Sequence, residues 1–546
     1  MLLNNLDACT PETHNWDAIV IGTGIGGSTL GWALARAGLR VLFLEKGRSH
    51  LHHADAFRGD YADRFLSADE GPALSSPDVL RRSGRAWQDI VDSSYPKPRR
   101  FVPFLGCGIG GSSALYGMAC ERFFPEDFRP TWPVSYQQMQ PYYEAAERLY
   151  GVCGGTDPLR ENHHGSDPRP NNLPPLNAPH QKLLSFLKSS DLHPYRLPLA
   201  CNYKKGDERA QGYLDNQGSK NEAGTVCLNP ALDTHGAQLL DECEVMRLET
   251  DQNVVREIVC LHRGRLLTLR SNLVILAAGA LASPAILLKS SSPHWPRGLA
   301  NRSDQVGRNL MRHYVDLYVL KGLERSENNF AKQLAFNDYY SIEGKRFGTV
   351  QSFGALPPAD ILAREMREEL QSQGRRFSAA MLGLGRSIVQ RTLKRLLQGR
   401  TILASVMEDR PHSENRVRPL AENGDKNQSN IEITYRIRSS EADRIKFMRR
   451  RMLRLLKPLR PMLIKQAENN QRMAHICGTC RFGEDPKTSV LNADNRAHDV
   501  ENLYVVDTSF FPTSTGMNPA LTVAANALRV AEKISGATAQ GANDEH

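Results

Sequence analysis

The hydrophobic positions near the start of the chain form two short apolar runs with a helix-like stretch between them. Residues 18–21 and Val41–Leu44 are uninterrupted apolar segments, which is typical of buried parallel strands. A glycine-rich turn connects the first run to a predicted helix over residues 26–37. The order strand, turn, helix, strand predicts a parallel sheet covered by helices.

A second pattern of this kind lies near the C-terminus. Residues 504–506 are apolar and lead to Asp507, and a turn-rich segment follows over residues 508–517. Asn518 suits the N-cap of a helix and Pro519 its first position, and apolar residues then recur at helical spacing over 521–530. A helix that begins here directs free N–H groups and a positive dipole end toward this point. His475 begins the neighbouring glycine-rich stretch, so we expect a base beside a place where negative charge develops.

The middle of the chain divides into three kinds of pattern. Residues 154–230 are rich in Asn, Pro, Gly and Asp, which predicts a loop-rich connection. Residues 238–246 and 273–276 are strand-like and flank a polar hairpin at 251–267. From 316 to 463 the pattern alternates between helices and strands, and the predicted strands are 347–353, 401–407 and 431–435.

Composition narrows the class of protein. The chain has 546 residues, 40% of them hydrophobic and 24% charged, which is typical of a globular protein of about two structural units. Its net charge of +9 attracts anions, but no nucleic-acid-binding motif is present, so we expect no nucleic acid partner. The ten cysteines form neither a zinc motif nor a disulfide framework. No signal peptide or membrane span is visible, which predicts a cytoplasmic protein. We also expect no metal site, because no zinc motif is present.

The first glycine-rich turn has the spacing of a dinucleotide-binding motif. Gly22, Gly24 and Gly27 form G-x-G-x-x-G after the first predicted strand, with Gly26 inside the motif. Glycines here allow a tight turn, close approach of a pyrophosphate and packing of the helix on the strand. Glu45 follows the second strand, where a carboxylate can bind a ribose hydroxyl and disfavours a 2′-phosphate. The motif predicts adenosine diphosphate as part of either NAD or FAD.

A second glycine segment lies at residues 104–128. It contains Gly108, Gly110 and Gly111, followed by Ser112 and Ser113, and no strand–helix unit of Rossmann length surrounds it. A second flexible segment that can approach a planar ligand favours the flavin half of FAD over NAD.

Together these blocks resemble the glucose–methanol–choline (GMC) oxidoreductase family. The similar blocks lie in the family's order and span nearly the whole chain: residues 22–27 with Glu45, 108–117 (GIGGSSALYG), 132–152, 277–288 (AAGALASPAILL), 306–313 (VGRNLMRH), 475–483 (HICGTCRFG) and 505–532. The WPVSY block resembles a subgroup that includes bacterial sugar and sugar-acid dehydrogenases and long-chain alcohol oxidases.

The resemblance implies a mixed α/β (α+β) fold with two domains. A Rossmann-like FAD-binding domain is expected from residues 14–153, 231–315 and 467–540. Residues 154–230 are expected to form a loop-rich connection with substrate-side insertions. Residues 316–466 are expected to form a substrate-binding domain of an antiparallel sheet plus helices, and the sheet is expected to cover the flavin.

The resemblance also implies where FAD binds. The positions that it assigns to the cofactor are Gly22, Gly24, Gly26, Gly27, Glu45, Gly108, Gly111, Ser112, Tyr116, Gly117, Val245, Ala278, Asp507, Asn518 and Pro519. Ala114 stands where covalent-flavin members have a histidine, so FAD is expected to be non-covalent. Many members have Asn where Tyr116 stands, which changes the contact to the flavin edge. Cys201 and Cys227 are isolated, so no iron–sulfur cluster is expected.

By the same resemblance His475 is the proton acceptor and Asn518 the second active-site residue. The alternatives are a core histidine and a simple N-cap. For His313, and for Glu408 with Asp409, a structural role is the favoured interpretation. Cys477 and Cys480 are expected to pack as small apolar residues rather than to act as a redox pair.

The predicted reaction is oxidation of a CH–OH group of a small alcohol or sugar by hydride transfer to flavin N5, with His475 as base. An external electron acceptor or O₂ completes the cycle, and the sequence leaves oxidase, dehydrogenase and oligomeric state open. One alternative is lyase chemistry at the same histidine. Another is a membrane-surface protein with a vestigial FAD site, because basic helices over 375–400 and 444–457 could contact anionic lipid; packing on their own domain is the competing interpretation.

Overall fold

The computed structural model describes residues 15–536 apart from 52–53, 60, 62–76, 161–172, 207, 209–210, 327–331, 355, 357, 373–375, 421–430 and 472. The strands are β1 (Asn15–Ile21), β2 (Val41–Leu44), β3 (Ile90–Asp92), β4 (Arg99–Phe101), β5 (Val152–Cys153), β6 (Tyr195–Arg196), β7 (Leu199–Ala200), β8 (Gln238–Leu240), β9 (Cys243–Asp251), β10 (Val254–His262), β11 (Arg265–Leu276), β12 (Met311–Leu320), β13 (Leu334–Phe336), β14 (Ser341–Ile342), β15 (Lys345–Arg346), β16 (Gly348–Ser352), β17 (Thr401–Met407), β18 (Arg416–Pro419), β19 (Ile431–Thr434), β20 (Pro461–Lys465), β21 (Ala474–Cys477) and β22 (Leu503–Val505). The α-helices are α1 (Ile25–Arg36), α2 (Pro77–Arg82), α3 (Tyr136–Leu149), α4 (Ala178–Ser189), α5 (Asn229–Asp233), α6 (Gly279–Lys289), α7 (Ala359–Ser372), α8 (Arg376–Leu384), α9 (Arg386–Leu397), α10 (Ser439–Leu455) and α11 (Ala520–Ser535).

The first sheet has the parallel centre that the apolar runs predict. Its order is β8-β2-β1-β11, and β22 also pairs with β11; all of these pairs are parallel. The side chains of β2 are all buried, because helices cover the sheet, and α1 packs against α11, which in turn packs against α3. This arrangement brings the turn after β1 and the segment after β22 to the same edge of the sheet.

The predicted strand over 238–246 is wrong in one respect: it is two strands. β8 ends at Leu240 and β9 begins at Cys243, because the intervening Glu242 has a φ of 50°, which an extended strand does not allow. The predicted polar hairpin at 251–267 is confirmed: β10 pairs antiparallel with β11 across a turn at 263–264, and it also pairs antiparallel with β9. Val255 and Ile258 are buried while Arg256 faces outward, so one-sided burial made a regular strand look polar.

The second sheet is antiparallel and has the order β20-β12-β17-β16-β13-β6, with β21 paired to the start of β12. The strand predictions at 347–353, 401–407 and 431–435 are confirmed as β16, β17 and β19. One cluster of buried apolar side chains joins this sheet to α10, and a separate cluster joins it to α7 and α9. β17 is fully buried because helices lie on both of its faces.

The connection at 154–230 contains more regular structure than its composition predicts. It includes the 12-residue helix α4, which Asn177 caps by accepting a hydrogen bond from the His180 N–H at 3.0 Å. Leu183 and Leu187 of α4 are buried in the apolar cluster of the second sheet. The asparagine and proline residues at this point therefore mark the start of a helix and do not indicate a continuing loop.

The two basic segments differ in how they pack. The predicted helix over 375–400 is instead two helices, α8 and α9, because the helix is interrupted at Gly385. Arg375 lies outside the described residues. In α10, by contrast, Arg444 pairs with Glu408 and Arg449 with Asp316, so that helix packs on its own domain.

No helix within the described ranges is long and apolar enough to cross a bilayer. The same part of the chain contains no group of three or more His, Cys, Asp or Glu side chains placed to hold a metal ion.

Candidate active site

Two histidines meet where β21 pairs with β12. Met311 lies opposite Cys477 and His313 opposite Ala474, so the next residue, His475, turns its ring toward His313. The two Nδ1 atoms are 2.7 Å apart, and the rings are nearly perpendicular at 80°. His475 has a φ of 55°, in the left-handed region. The sequence interpretation treated His313 as structural, whereas the structure places it in direct contact with the expected base.

The hydrogen bonds of His313 determine which nitrogen of His475 is free. His313 Nε2 lies 3.0 Å from the carbonyl oxygen of Ser514, which can only accept, so Nε2 of His313 carries hydrogen. In a neutral imidazole its Nδ1 is then an acceptor, and His475 must donate from Nδ1. Nε2 of His475 is therefore left without a proton.

Both imidazoles are held in the neutral form. Burial lowers the pKa of His313 to about 4. The pKa of His475 is lowered well below its ordinary value, first by desolvation and then by unfavourable electrostatic interactions with His313 and Lys332. Near neutral pH, His475 thus has a free lone pair on Nε2.

A buried hydrogen-bond network holds the Ser514 carbonyl in place. Ser514 Oγ accepts from the Asp409 N–H at 2.8 Å and donates to the Asp409 carbonyl at 2.9 Å. The Asp409 carboxylate accepts from the hydroxyls of Tyr314 and Tyr435, each at 2.6 Å. Burial raises the pKa of Asp409 to about 6. Because each of these groups has a partner, the network fixes the position of His313.

Asn518 does not cap the helix that follows it. α11 begins at Ala520 with Pro519 at the N-cap, and the cap side-chain hydrogen bond expected from Asn518 is not formed. The predicted N-cap role of Asn518 is therefore wrong. Its Oδ1 is buried and has no hydrogen-bond partner among the described residues. Buried acceptors in native proteins are normally paired, so this atom marks a place for a ligand group.

The glycines at the start of α1 form a cradle with one open side. A Cβ on Gly26 would lie 2.2 Å from the Val506 carbonyl oxygen, and one on Gly27 would lie 2.1 Å from that of Gly22, so packing requires glycine at both positions. A Cβ on Gly24 would meet nothing within 4 Å. Gly24 is the N-cap of α1 and provides no side-chain cap, which leaves the first N–H groups of the helix for an anion.

Glu45 links the two glycine segments. Its Oε2 accepts from the Thr23 N–H at 3.1 Å and from the Thr23 hydroxyl at 2.7 Å. Its Oε1 accepts from the N–H groups of Gly47 at 2.8 Å and Gly108 at 3.0 Å. Burial raises the pKa of this carboxyl, and the four hydrogen bonds oppose that effect. The contact of Glu45 with a ribose stays a prediction, as does that of Val245, which is buried near the start of β9.

The second glycine segment lies directly against the first. A Cβ on Gly111 would lie 3.1 Å from the Gly24 Cα, and Gly111 itself has a φ of 52°. Ser112 is exposed, and its Oγ accepts from the Gly106 N–H at 3.2 Å. The Tyr116 hydroxyl donates to the Asn221 carbonyl, so it is engaged within the protein.

Asp507 joins the C-terminal segment to the start of α6. Its carboxylate accepts from the Gly279 N–H at 2.9 Å, from the Ser509 N–H at 2.8 Å and from the Ser283 hydroxyl. Ala278 is the N-cap of α6. Desolvation raises the pKa of Asp507, against the effect of these bonds. The carboxylate thus orders backbone N–H groups at this edge of the first sheet.

These features fit FAD. The uncapped N-terminus of α1 and the open side of Gly24 suit a pyrophosphate. The second glycine segment packs against Gly24 and extends the same cradle. Asn518 Oδ1, which has no partner among the described residues, and His475 Nε2, which carries no proton, are available to a reacting group.

Two residues near this cradle were missed by sequence reasoning. A Cβ on Gly117 would lie 2.2 Å from Lys332 Nζ and 2.8 Å from Gln211 Oε1, so both side chains reach the second glycine segment. Neither belongs to a motif or to a periodic segment, so the sequence carries no signal for them. Cys477 and Cys480 are free, buried thiols whose pKa values burial raises, in keeping with the expected packing role.

Comparison with known proteins assigns most of the chain to the family that the sequence blocks resemble. Residues 16–315 and 411–527 match the N-terminal and C-terminal models described as GMC oxidoreductase. The chain is 30% identical to paromamine 6'-oxidase of Streptomyces fradiae, over 95% of this chain and 91% of that protein. It is 29% identical to 6'''-hydroxyparomomycin C oxidase of Streptomyces lividus, over 97% and 93%. It is 24% identical to 2-methyl-1,2-propanediol dehydrogenase of Mycolicibacterium austroafricanum, over 96% of each.

The fold agrees with a solved structure of pyridoxine 4-oxidase from Mesorbium loti, with a TM-score of 0.63 and 20% identity over 96% of this chain and 100% of that one. An FAD-dependent oxidoreductase from Chaetomium thermophilum gives a TM-score of 0.61 at 16% identity, over 96% and 99%. The fold is therefore the FAD-binding fold of these oxidoreductases, and a flavin is the cofactor that it implies. On the extent of the two model matches, this chain belongs to the GMC oxidoreductase family and is a flavin-dependent enzyme of the alcohol dehydrogenase and oxidase type.

Proposed function

We propose that the enzyme oxidises a CH–OH group of a small alcohol or sugar and that Nε2 of His475 accepts the hydroxyl proton. Bound FAD supplies the hydride acceptor at N5 of its ring system. The observation that carries the proposal is the hydrogen-bond chain from Ser514 through His313 to His475, which leaves Nε2 of His475 unprotonated. Relatives named as oxidases and dehydrogenases of hydroxyl compounds support the reaction class.

The protein's own residues have distinct tasks in this step. As His475 gains a proton at Nε2, its Nδ1–H bond to neutral His313 becomes charge-assisted and stabilises the imidazolium. A base of this kind typically contributes about 10²–10⁴-fold in rate. The buried amide of Asn518 would hold the substrate oxygen, and the N-terminus of α11 would favour negative charge beside it.

The test is anaerobic mixing of the purified, flavin-loaded protein with a panel of sugars, sugar acids and aliphatic, aryl and steroid alcohols. Loss of the flavin's visible absorbance with one class identifies the substrate, and rapid return of colour in air indicates an oxidase. Slow return indicates a dehydrogenase that needs another acceptor. Product formation without loss of absorbance would mean lyase chemistry and would refute the proposal.

We also propose that FAD is held without a covalent bond. Ala114 is buried and has no nucleophilic atom, and this supports non-covalent binding. Acid precipitation should release all of the flavin into the supernatant, whereas flavin that stays with the precipitate would contradict it.

We further propose that α8 and α9 contact an anionic bilayer. Phe377 and Ile388 are 80% and 70% exposed, and the basic side chains of Arg391, Lys394 and Arg395 are exposed on α9. An apolar surface with adjacent cations complements acidic lipid headgroups. The protein should sediment with vesicles containing phosphatidylserine, but not with phosphatidylcholine alone, and replacing Phe377 and Ile388 with serine should abolish this. Absence of sedimentation, or self-association without vesicles, would contradict it.

A further inference from the structure

Lys332 is a buried cation beside the second sheet. It precedes β13, and its side chain is only 6% exposed. Among the residues that the structure describes, Nζ has no hydrogen-bond or carboxylate partner; it lies close to Gly117 and 5.8 Å from the centre of the Phe353 ring. The carboxylate of nearby Glu208 instead accepts from the Gln333 side chain at 3.0 Å. Burial lowers the pKa of Lys332 to about 8, because an ammonium without a partner is disfavoured there, and a ligand of opposite charge would stabilise the charged form.

The position of Lys332 places it in the active site. Its Nζ reaches Gly117, in the glycine segment that also contains Tyr116, and Nζ would be 2.2 Å from a Cβ there. Its charge also lowers the pKa of His475, so Nζ acts on the expected base through space. Lys332 therefore contacts the second glycine segment and is near enough to His475 to act on it electrostatically.

The surroundings contain a second cation, and its donors are used within the protein. Lys220 Nζ donates to the carbonyl oxygens of Ala114 at 2.6 Å and Tyr213 at 2.9 Å. Gln211 Oε1, the other polar atom at Gly117, is buried and without a partner. One unpaired donor and one unpaired acceptor thus face the same place.

We propose that Lys332 binds an anionic group, a carboxylate or a phosphate, on the alcohol that the enzyme oxidises. The inference rests on the proposed function and adds the substrate class. The anionic group pairs with Nζ while the hydroxyl group lies at His475 Nε2, and Gln211 Oε1 accepts from a further hydroxyl. Amino alcohols are disfavoured, because their ammonium group would be buried beside that of Lys332.

The experiment uses the flavin-loaded enzyme and two matched series. The first is para-hydroxymethylbenzoate, para-hydroxymethylbenzamide and para-aminomethylbenzyl alcohol, and the second is hydroxybutyrate with its amide and amine. The measured quantity is the ratio of kcat/KM for the acid to that for the amide. We expect about 10–100-fold preference for the acid, the value of one charge-assisted bond. Lys332→Met should remove the preference, Lys332→Arg should retain most of it, and Lys188→Met, which removes an exposed lysine, should leave it unchanged.

A binding measurement separates this inference from the proposed function. Benzoate and benzamide cannot be oxidised, and each should perturb the absorbance of bound flavin as it enters the site. Tighter binding of benzoate that disappears in Lys332→Met supports the subsite even if no alcohol is turned over. Equal binding of the two probes, or a preference that survives Lys332→Met, overturns it while alcohol oxidation remains unaffected. An equal loss of kcat/KM for acid and amide in Lys332→Met also overturns it, because Lys332 would then act on the flavin or the base.

Discussion

Replacing His313 with leucine tests whether the orientation of His475 determines the reaction rate. The substitution removes the acceptor 2.7 Å from His475 Nδ1 and the donor 3.0 Å from the Ser514 carbonyl. His475 can then carry its proton on Nε2, where it blocks proton uptake, or leave a buried Nδ1–H unpaired. Either outcome costs about 1–3 kcal/mol, and the lost charge-assisted bond to the imidazolium is of similar size.

Such a loss corresponds to a decrease of about 10–100-fold in the rate of flavin reduction. The rate at saturating substrate is measured by anaerobic rapid mixing, with loss of flavin absorbance as the signal. The effect should appear in that limiting rate more than in the substrate concentration for half-saturation, because His313 does not itself bind substrate.

His313→Gln is the matched control for a merely structural role. A glutamine can accept from His475 Nδ1 through Oε1 and donate to the Ser514 carbonyl through Nε2, so it should recover a large part of the rate. Thermal release of FAD shows whether either variant has lost its fold. If leucine and glutamine variants with intact folds are equally slow, or if leucine is as fast as the native enzyme, the reasoning about the tautomer is refuted.

Three further predictions concern the base, its pH dependence and the cofactor cradle. His475→Ala should retain FAD but lower the rate of flavin reduction about 10²–10⁴-fold; a rate near the native one would remove His475 from the mechanism. Because desolvation lowers the pKa of His475, the native rate should be constant at neutral pH and fall only in acid, and Lys332→Met, which removes a charge that lowers this pKa, should move the fall to higher pH; a shift to lower pH would contradict the assignment. Gly24→Ala should fold normally, since its Cβ meets no protein atom, but bind FAD more weakly in a fluorescence titration of apoprotein, whereas Gly27→Ala should destabilise the fold itself because its Cβ would lie 2.1 Å from the Gly22 carbonyl oxygen; unchanged FAD affinity in Gly24→Ala would show that the open side faces something else.

The parts of the fold that depend on local pattern could be predicted from the sequence. β1 and β2 are apolar runs because both faces of their sheet are buried. The glycine spacing between them is required because α1 packs closely on the end of its own strand. The two-helix arrangement of 376–397 could not be seen, because apolar residues continue at helical spacing across the break at Gly385.

The candidate site was predictable only where it coincided with a motif. His475 and Asn518 were found in this way, but their contacts depend on long-range pairing. His313 meets His475 because β12 and β21 pair although these two residues are 162 positions apart in sequence, and no local pattern determines that register. Lys332 reaches Gly117 through a similar distant contact, and its burial, rather than its neighbours in sequence, shows its importance.

The left-handed backbone of His475 has a consequence for the stability of the whole protein. A histidine at a φ of 55° is held in a conformation that costs on the order of 1 kcal/mol, and asparagine or glycine would relieve much of that cost. His475→Gly relieves this torsion but also removes the ring and leaves His313 Nδ1 without its partner, so its melting temperature should fall by less than that of His475→Ala, while both variants lose activity. Selection for turnover and selection for thermal robustness thus act in opposite directions on one backbone torsion.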